Sequence, residues 1–341
     1  MIKRRDFLKR LAVAAVGLRV GPEAFSGASS LDRSGEALPL RRLGKTGEAV
    51  TCLGLGGFHI GWIEEEKTAE AVIKASLEEG VRFFDTAESY GNGLSEERYG
   101  RYLTPNHREE IFLTTKTSAR DVAAARRHLE GSLRRLKTDR IDLWQLHALA
   151  SPEDAASRLD EGLLDLALKA KAEGKVRHIG FTGHASPYAH KHMLADSKAS
   201  EAFEVCLMPI NPVDAVARHS FIENTLPGLV EADYGVLAMK TLADGRFFGK
   251  KIVNGRVQWE TADPVVPDVL SIAECIHFVL SLPVSVLITG AETPEFIREK
   301  AAMVREFEKM DESQRLALVE KAVAFAEAGE VEYYKSNDLR G

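Results

Sequence analysis

The chain has 341 residues, of which 45% are hydrophobic and 28% charged, and its formal net charge is −6. This length and composition are typical of one large α/β domain or two smaller ones. The acidic balance, without basic clusters in the body of the chain, argues against nucleic-acid binding, and no apolar run beyond the N-terminus is long enough to span a membrane. Cys52, Cys206 and Cys275 lie far apart in apolar stretches, so we predict buried thiols and no disulfide or metal site.

The first 28 residues have the pattern of an export signal. The basic stretch that contains Arg4-Arg5-Asp6-Phe7-Leu8-Lys9 resembles a twin-arginine signal and is followed by a short apolar run over residues 11–18. We predict a signal over residues 1–28, with Ser26-Gly27-Ala28 as a plausible cleavage site, and a linker over residues 29–38. The mature protein is then periplasmic or otherwise exported, without a stable membrane span. The alternative is a basic N-terminal helix that stays attached to a cytoplasmic protein.

The body of the chain begins with a predicted hairpin over residues 40–51 and continues as eight strand–helix units. The predicted strands cover residues 52–57, 81–84, 111–116, 140–146, 176–181, 203–210, 235–239 and 284–288. The predicted helices cover residues 64–79, 95–103, 121–136, 151–174, 221–232 and 272–282, with two more that begin at 186 and 293. The unbroken alternation favours a closed (β/α)8 TIM barrel over an open doubly wound sheet.

Two segments do not fit the strand–helix repeat. Residues 242–268 are longer than a simple connection, and we predict that they form a binding loop over the mouth of the barrel. Residues 306–341 are predicted as a C-terminal extension made of one amphipathic helix and a polar tail.

Ionisable residues end three successive predicted strands at equal spacing. Asp85 and Lys116 are 31 residues apart, and Lys116 and His147 are again 31 residues apart. Tyr90 follows in the loop after Asp85. Because parallel strands place their C-terminal ends on one face of a barrel, we expect these four side chains to meet at one mouth.

This set of residues suits proton transfer to a carbonyl oxygen. A neighbouring ammonium stabilises a phenolate, so Lys116 is expected to lower the pKa of Tyr90. Asp85 is expected to keep Lys116 charged and in place. His147 can orient the carbonyl. No side chain supplies hydride, so a nicotinamide is implied. An alternative is a metallohydrolase that uses His147, His184 and Asp85, although no paired His-x-His motif ends the first strand.

The sequence resembles the aldo-keto reductase superfamily over residues 39–305. The resemblance is carried by Phe84-Asp85-Thr86-Ala87 with Tyr90, Thr115-Lys116, residues 143–147, Gly180-Phe181-Thr182-Gly183-His184, Asn211, and Thr289-Gly290-Ala291 with Arg298-Glu299. It implies a barrel plugged at the bottom by the N-terminal β-hairpin, an extended NAD(P)H, Tyr90 as the proton donor, Lys116 and Asp85 as its tuning pair, and His147 as the group that orients a small carbonyl substrate.

The resemblance also implies a cofactor shell, in which this chain departs from the family pattern. The implied residues are Gly56, Gly57, Phe58, Thr182, Gly183, Asn211, Met239, Lys240, Thr289, Gly290, Ala291, Glu292, Arg298 and Glu299. Thr182-Gly183 replaces a common Ser-Asn, Leu207 or Met208 replaces a common Gln, and no aromatic residue follows the seventh strand. Glu292 and Phe296 stand where basic residues often bind a 2′-phosphate. The cofactor is therefore expected to be NADP or NAD, with a weaker NADPH preference than is usual in the family.

The sequence thus predicts an NAD(P)-dependent aldo/keto reductase that acts on an aldehyde or ketone. The alternative is a regulatory or accessory subunit of the same fold that binds the cofactor and turns over little. The carbonyl substrate and the oligomeric state are not predicted.

Overall fold

Eight parallel strands close into a barrel in a computed structural model that describes residues 38–253 and 256–340. The predicted signal and almost all of the predicted linker lie outside the described residues. The strands are β1 (Leu40–Arg42), β2 (Ala49–Thr51), β3 (Leu53–Gly56), β4 (Phe83–Asp85), β5 (Phe112–Thr117), β6 (Ile141–Leu146), β7 (Val176–Thr182), β8 (Val205–Pro209), β9 (Gly235–Met239), β10 (Lys250–Val253), β11 (Arg256–Glu260) and β12 (Val286–Thr289). The barrel follows the order β12-β3-β4-β5-β6-β7-β8-β9, as the sequence predicts.

Helices follow each barrel strand, and most are amphipathic with the apolar face against the strands. They are α1 (Gly57–Ile60), α2 (Glu66–Glu78), α3 (Leu94–Tyr102), α4 (Thr104–His107), α5 (Val122–Arg135), α6 (Pro152–Asp160), α7 (Leu163–Ala172), α8 (Pro187–Ala195), α9 (Ser197–Ala202), α10 (Phe221–Asn224), α11 (Leu226–Glu231), α12 (Ile272–Leu280), α13 (Pro294–Arg305), α14 (Glu312–Lys321) and α15 (Val323–Ala328). Within the described ranges, no helix is both long and apolar enough to cross a membrane.

The inside of the barrel is a packed apolar core that the N-terminal hairpin closes. The inward-facing residues form one cluster: Phe83, Phe112, Leu143, Val205, Leu207, Leu237, Val286 and Ile288. Leu43 and Val50 from the β1–β2 hairpin belong to the same cluster. A Cβ atom at Gly44 would lie only 2.1 Å from the backbone nitrogen of Gly235, so a glycine is needed where the hairpin meets β9. The hairpin is therefore the expected plug.

Three predicted helices are each divided in two. Gly162, which has a φ of +80°, separates α6 from α7, because few side chains adopt that conformation. The Asp196 side chain accepts a hydrogen bond from Ala199 N at 2.8 Å and caps α9. Pro227 lies in the first turn of α11, where it cannot continue the ladder of α10.

The C-terminal extension differs most from the prediction. It contains two helices, α14 and α15, rather than one. The segment after α15, which was predicted to be a polar tail, returns to the barrel and is buried at Glu332, Tyr334 and Lys335. The predicted mouth loop over 242–268 also carries an unpredicted antiparallel hairpin, β10–β11.

Candidate active site

Asp85 and Lys116 form a buried ion pair at the C-terminal ends of β4 and β5. Lys116 Nζ donates to Asp85 Oδ2 at 2.7 Å and to the Thr86 carbonyl at 2.6 Å. Burial opposes a charge on Lys116, but Asp85 and Tyr90 outweigh it and raise the pKa of Lys116 above its ordinary value. The ammonium is therefore permanently charged at neutral pH and fixed in position.

Tyr90 lies beside this pair, with part of its surface open to solvent. Lys116 Nζ is 4.8 Å from the centre of the Tyr90 ring. Burial raises the pKa of Tyr90 above its ordinary value, against the opposing influence of Lys116. The sequence argument considered the ammonium alone and therefore expected the opposite direction. In this structure Tyr90 is a protonated phenol at neutral pH, which is the form that a proton donor requires.

His147 faces Tyr90 from the end of β6. The centres of the two rings are 5.6 Å apart and the rings are nearly perpendicular. Burial and then the charge of Lys116 hold the pKa of His147 well below its usual range, so the imidazole is neutral. The backbone is held on both sides, because His147 N donates to the Thr117 carbonyl at 2.8 Å and Arg158 Nη1 donates to the His147 carbonyl at 2.7 Å. A neutral, fixed imidazole can donate a hydrogen bond to a carbonyl oxygen but does not compete with Tyr90 as the acid.

The loop that carries Tyr90 has an unusual backbone. Gly91, Asn92 and Gly93 follow Tyr90 with φ values of 60°, 56° and 95°. A Cβ atom at Gly91 would lie 2.2 Å from the Gly61 carbonyl oxygen, so the loop after β3 packs directly on the loop after β4. Residues in such rare conformations persist where the surrounding structure enforces them, and they are common at functional sites.

Four glycines of the expected cofactor shell are packed against protein atoms. A Cβ atom at Gly57 would lie 2.6 Å from the Asp85 carbonyl, and one at Gly183 would lie 2.4 Å from the Leu149 carbonyl. At Gly290 it would lie 2.0 Å from His59 Nδ1, and at Gly56 it would contact β12. These glycines allow neighbouring loops to approach each other, and that packing alone explains them.

Asn211, which the resemblance placed in the cofactor shell, is engaged by protein groups in this structure. It is fully buried, and its Oδ1 accepts from the backbone of Val213 and Asp214, each at 2.9 Å. Its Nδ2 donates to Tyr334 Oη at 3.0 Å. The C-terminal segment therefore accepts a hydrogen bond from the amide that the resemblance assigned to the cofactor.

The C-terminal segment lies across the loops that follow β7, β8 and β9. His184 Nδ1 donates to the Tyr334 carbonyl at 3.1 Å, and the Tyr333 hydroxyl donates to Asp244. Lys335 Nζ donates to Asp214 Oδ1 at 2.8 Å and to Glu332 Oε2 at 2.5 Å. Sequence reasoning missed this part of the site, because its polar residues resemble a solvated tail.

The loop after β9 places two lysines on one carboxylate. Asp244 accepts from Lys240 Nζ and from Lys251 Nζ, each at 2.9 Å. Burial would raise the pKa of Asp244, but Lys240 and Lys251 hold it well below the usual range. Lys240, Ala243 and Asp244 have φ values of 59°, 47° and 58°, a second concentration of rare backbone conformations at the mouth.

The expected phosphate segment after β12 offers both acids and bases. His59 Nε2 lies 3.2 Å from Glu292 Oε1, and Lys300 Nζ donates to the Gly290 carbonyl at 2.6 Å. Burial lowers the pKa of Lys300 to about 8. Arg298 is surrounded by Glu78, Glu79 and Glu295 at 3.6, 4.0 and 3.6 Å. The carboxylates around Arg298 thus compete with any 2′-phosphate for its guanidinium.

The remaining shell residues take varied positions. Thr182 and Ala291 are buried, Met239 packs against the inner barrel cluster, Thr289 is partly buried, Glu299 is exposed, and Phe58 is half-exposed. Within residues 38–253 and 256–340, no group of three or more His, Cys, Asp or Glu side chains is placed to hold a metal ion, so the metallohydrolase alternative gains no support there.

Comparisons with known proteins identify the family and agree with the barrel fold. The sequence profile of the aldo/keto reductase family matches residues 52–330. The uncharacterized oxidoreductase YrpG of Bacillus subtilis is 32% identical over 235 residues, which is 62% of this chain and 68% of that protein. The holo form of the aldo-keto reductase AKR11C1 of Bacillus halodurans has a TM-score of 0.66 at 21% identity, over 84% of this chain and 96% of that one. An aldo-keto reductase of Klebsiella pneumoniae in complex with NADPH has a TM-score of 0.63 at 21% identity, over 83% and 94% of the two chains. The chain belongs to the aldo/keto reductase family.

Proposed function

We propose that the protein is an NAD(P)H-dependent oxidoreductase that reduces an aldehyde or ketone to an alcohol, with Tyr90 as the general acid. The observation that carries the proposal is the position of a protonated, partly exposed Tyr90 between the charged Lys116 and the neutral His147. The NADPH-bound relative from Klebsiella pneumoniae supports the cofactor class.

Three lysines at the mouth offer positive charge to an anionic dinucleotide, and Asp244 offsets one of these charges. Lys240 and Lys251 follow β9, and Lys300 follows β12. Thr241 adds a buried hydroxyl oxygen that has no hydrogen-bond partner within the described residues. We infer that Lys240, Lys251, Lys300 and Thr241 hold the phosphate-bearing part of the cofactor.

The chain's own part in the reaction is proton transfer and orientation. When bound, the reduced nicotinamide supplies a hydride to the carbonyl carbon. The neutral His147 donates a hydrogen bond to the carbonyl oxygen, and Tyr90 gives that oxygen its proton, which completes the alcohol. The Tyr90 phenolate that remains faces the Lys116 ammonium, and Asp85 prevents Lys116 from moving away. Tyr90 recovers its proton from solvent at the open mouth.

The direct test is an assay of the purified protein. We expect oxidation of NADH or NADPH in the presence of at least one class of aldehydes, ketones or quinones. The loss of nicotinamide absorbance at 340 nm measures this oxidation. Tight cofactor binding without turnover across the whole panel would contradict the reductase and favour the accessory subunit.

The second proposal concerns the choice of nicotinamide. We expect a preference for NADH, or only a weak preference for NADPH, because Glu292 is exposed beside the expected ribose site and Arg298 is engaged by glutamates. A charge-assisted hydrogen bond is worth about 1.5–3 kcal/mol, so Glu292→Arg should shift the NADPH/NADH ratio of kcat/KM toward NADPH by about tenfold or more. The exposed Glu308 provides the control, and Glu308→Arg should leave the ratio unchanged. A strong wild-type NADPH preference that Glu292→Arg does not alter would show that the phosphate is held elsewhere.

We also propose export through the twin-arginine pathway, on the sequence Arg4-Arg5-Asp6-Phe7-Leu8-Lys9. Changing Arg4 and Arg5 together to lysine preserves the charge but removes the pair, so the protein should remain in the cytoplasm upon cell fractionation. The variant Arg10→Lys serves as the control and should be exported normally. Unchanged export of the double variant would contradict the proposal.

A further inference from the structure

A groove lined by basic side chains lies on the outside of the barrel, between α3 and α5. It contains a cavity of about 290 Å³. Glu97 and Arg101 line the cavity from α3, Arg134 and Arg135 line it from the end of α5, and Lys137 lines it from the turn that follows. None of these residues belongs to the candidate active site or takes part in the proposed reaction.

Two of the basic side chains in this α3–α5 groove are exposed and unpaired. Within residues 38–253 and 256–340, Arg134 and Lys137 make no side-chain hydrogen bond or ion pair. The helix dipole favours basic residues at a helix C-terminus, which accounts for their presence at the end of α5. It does not account for Arg101, which lines the same cavity from the other helix. Like charges from two elements thus converge on one cavity, an arrangement that a bound anion stabilises.

The walls of the groove are packed directly against each other. A Cβ atom at Gly100 of α3 would lie 1.8 Å from the Arg135 carbonyl oxygen, so the two helices are in backbone contact there. Arg135 Nε donates to the fully buried Glu96 at 2.7 Å, while its Nη1 has no hydrogen-bond partner in the described part of the chain. The Arg135 guanidinium is therefore fixed in advance, and an anion that binds it does not have to order the side chain first.

The groove carries an excess of positive charge on an acidic protein. Glu66 pairs with both Arg98 and Arg101, so it neutralises only one of them. Glu97 offsets one of the two unpaired cations. Because Arg135 is neutralised by its own buried carboxylate, two positive charges remain in excess, in a chain whose formal net charge is −6.

These features favour a small phosphate over other anions. A guanidinium can donate to two oxygens of one phosphate, so several arginines around a cavity favour a phosphate over a halide. A phosphate monoester carries about 1.5 to 2 negative charges at pH 7, which matches the excess. Small-molecule sites span about 300–1,000 Å³, so this cavity suits a small ligand and not a dinucleotide. Among the described residues, no exposed large apolar side chain lines the groove, which argues against a lipid surface.

We propose that the α3–α5 groove binds a small phosphate anion, either inorganic phosphate or a phosphate monoester, through Arg101, Arg134, Arg135 and Lys137. The groove lies between outer helices, whereas the phosphates of the cofactor are proposed to bind at the loops after β9 and β12. The site therefore stands independently of the proposed reductase function.

Isothermal titration calorimetry of the full chain with inorganic phosphate and with glycerol 3-phosphate tests the site. We expect saturable binding of at least one of them at an ionic strength of about 0.15 M, where distant surface charges are largely screened. Arg134→Ala/Lys137→Ala removes two charge-assisted contacts, so it should bind at least about tenfold more weakly. Because both side chains are exposed and unpaired, the unfolding curve of this variant should match that of the wild type. Lys67→Ala/Lys74→Ala removes the same charge from exposed positions on α2 and should bind as the wild type does.

A second double variant separates the groove from the mouth of the barrel. Lys240→Ala/Lys251→Ala removes lysines proposed to hold the cofactor, so it should keep the phosphate binding that Arg134→Ala/Lys137→Ala loses. Loss of all phosphate binding in Lys240→Ala/Lys251→Ala would overturn the proposal, because the phosphate would then bind at the mouth.

The choice of anion gives the remaining outcomes. Tighter binding of glycerol 3-phosphate would identify an esterified ligand and tighter binding of inorganic phosphate the free ion, and either supports the site. Acetate, which has one charge and two oxygens, should bind at least about tenfold more weakly than phosphate. Equal affinity for acetate and phosphate, equal affinity of the groove variant and the α2 control, or no binding of either phosphate compound to the wild type would each overturn the proposal. Phosphate binding in a protein that reduces no carbonyl compound would refute the reductase function and leave this site standing.

Discussion

Replacing Tyr90 with phenylalanine should lower turnover by about 10²- to 10⁴-fold, because the variant loses the proposed acid but keeps the ring. The edge contacts of that ring with Phe58 and His147 remain, so the fold and the affinity for the nicotinamide should stay within a few-fold of the wild type. The measurements are single-turnover rates and cofactor titration by fluorescence. Unchanged turnover in a variant that binds cofactor normally would remove Tyr90 from the role of acid.

A second tyrosine provides the control. Tyr102 is partly buried on α3, and its hydroxyl donates to Glu66 Oε1 at 2.9 Å, outside the barrel mouth. Tyr102→Phe makes the same chemical change, loses one hydrogen bond and should retain full turnover. Comparable losses in both variants would indicate that a hydroxyl deletion acts through stability and not through proton transfer.

Lys116 is a less selective probe of the same chemistry. Lys116→Met should reduce turnover as severely as Tyr90→Phe, because the phenolate loses the cation that faces it. It also leaves Asp85 buried without its partner, and breaking a buried pair in this way costs about 3–5 kcal/mol of stability. Its kinetic loss is therefore interpretable only beside a measured unfolding curve.

Three of the four central residues were predictable because their positions follow from the backbone alone. Asp85, Lys116 and His147 end consecutive parallel strands, and parallel strands in a barrel bring those ends to one face whatever the helices between them do. The distances between Lys116 and Asp85 and between Tyr90 and His147 agree with that argument. What spacing did not predict was the direction of the Tyr90 pKa, which burial sets and a list of neighbouring charges does not reveal.

The cofactor shell was less predictable because it depends on contacts between distant parts of the chain. Asn211 has the residue type and the strand-end position of a ligand, but Tyr334, 123 residues later, accepts its amide hydrogen bond. The sequence of the segment that contains Glu332 and Lys335 predicts an exposed surface, because charged residues three apart are common on exposed surfaces. Only the folded chain shows that Asp214, 121 residues from Lys335, is buried and faces it.

Replacing Lys335 with methionine should destabilise the protein by about 3–5 kcal/mol, because Asp214 and Glu332 would remain buried without a cation. The Lys335 side chain is only 1% exposed in its ion pair with Asp214. Burial opposes its charge, but the two carboxylates outweigh burial and raise the pKa of Lys335 above its ordinary value. The free energy of unfolding from urea titration measures the loss. The C-terminal segment should also exchange its amide hydrogens faster, since Lys335 connects it to the loop after β8.

An exposed ion pair between a lysine and an aspartate provides the control for the Lys335 variant. Lys198 pairs with Asp165 at 2.6 Å, but the two side chains are 62% and 67% exposed. Such surface pairs contribute about 0–1 kcal/mol, so Lys198→Met should change the stability little. The double variant Glu332→Gln/Lys335→Met removes one of the two orphaned charges and should recover part of the loss. If Lys335→Met is no more destabilising than Lys198→Met, the buried pair does not hold the C-terminal segment in place. The contacts of Tyr333 with Asp244 and of Tyr334 with Asn211 would then have to account for its position across the mouth.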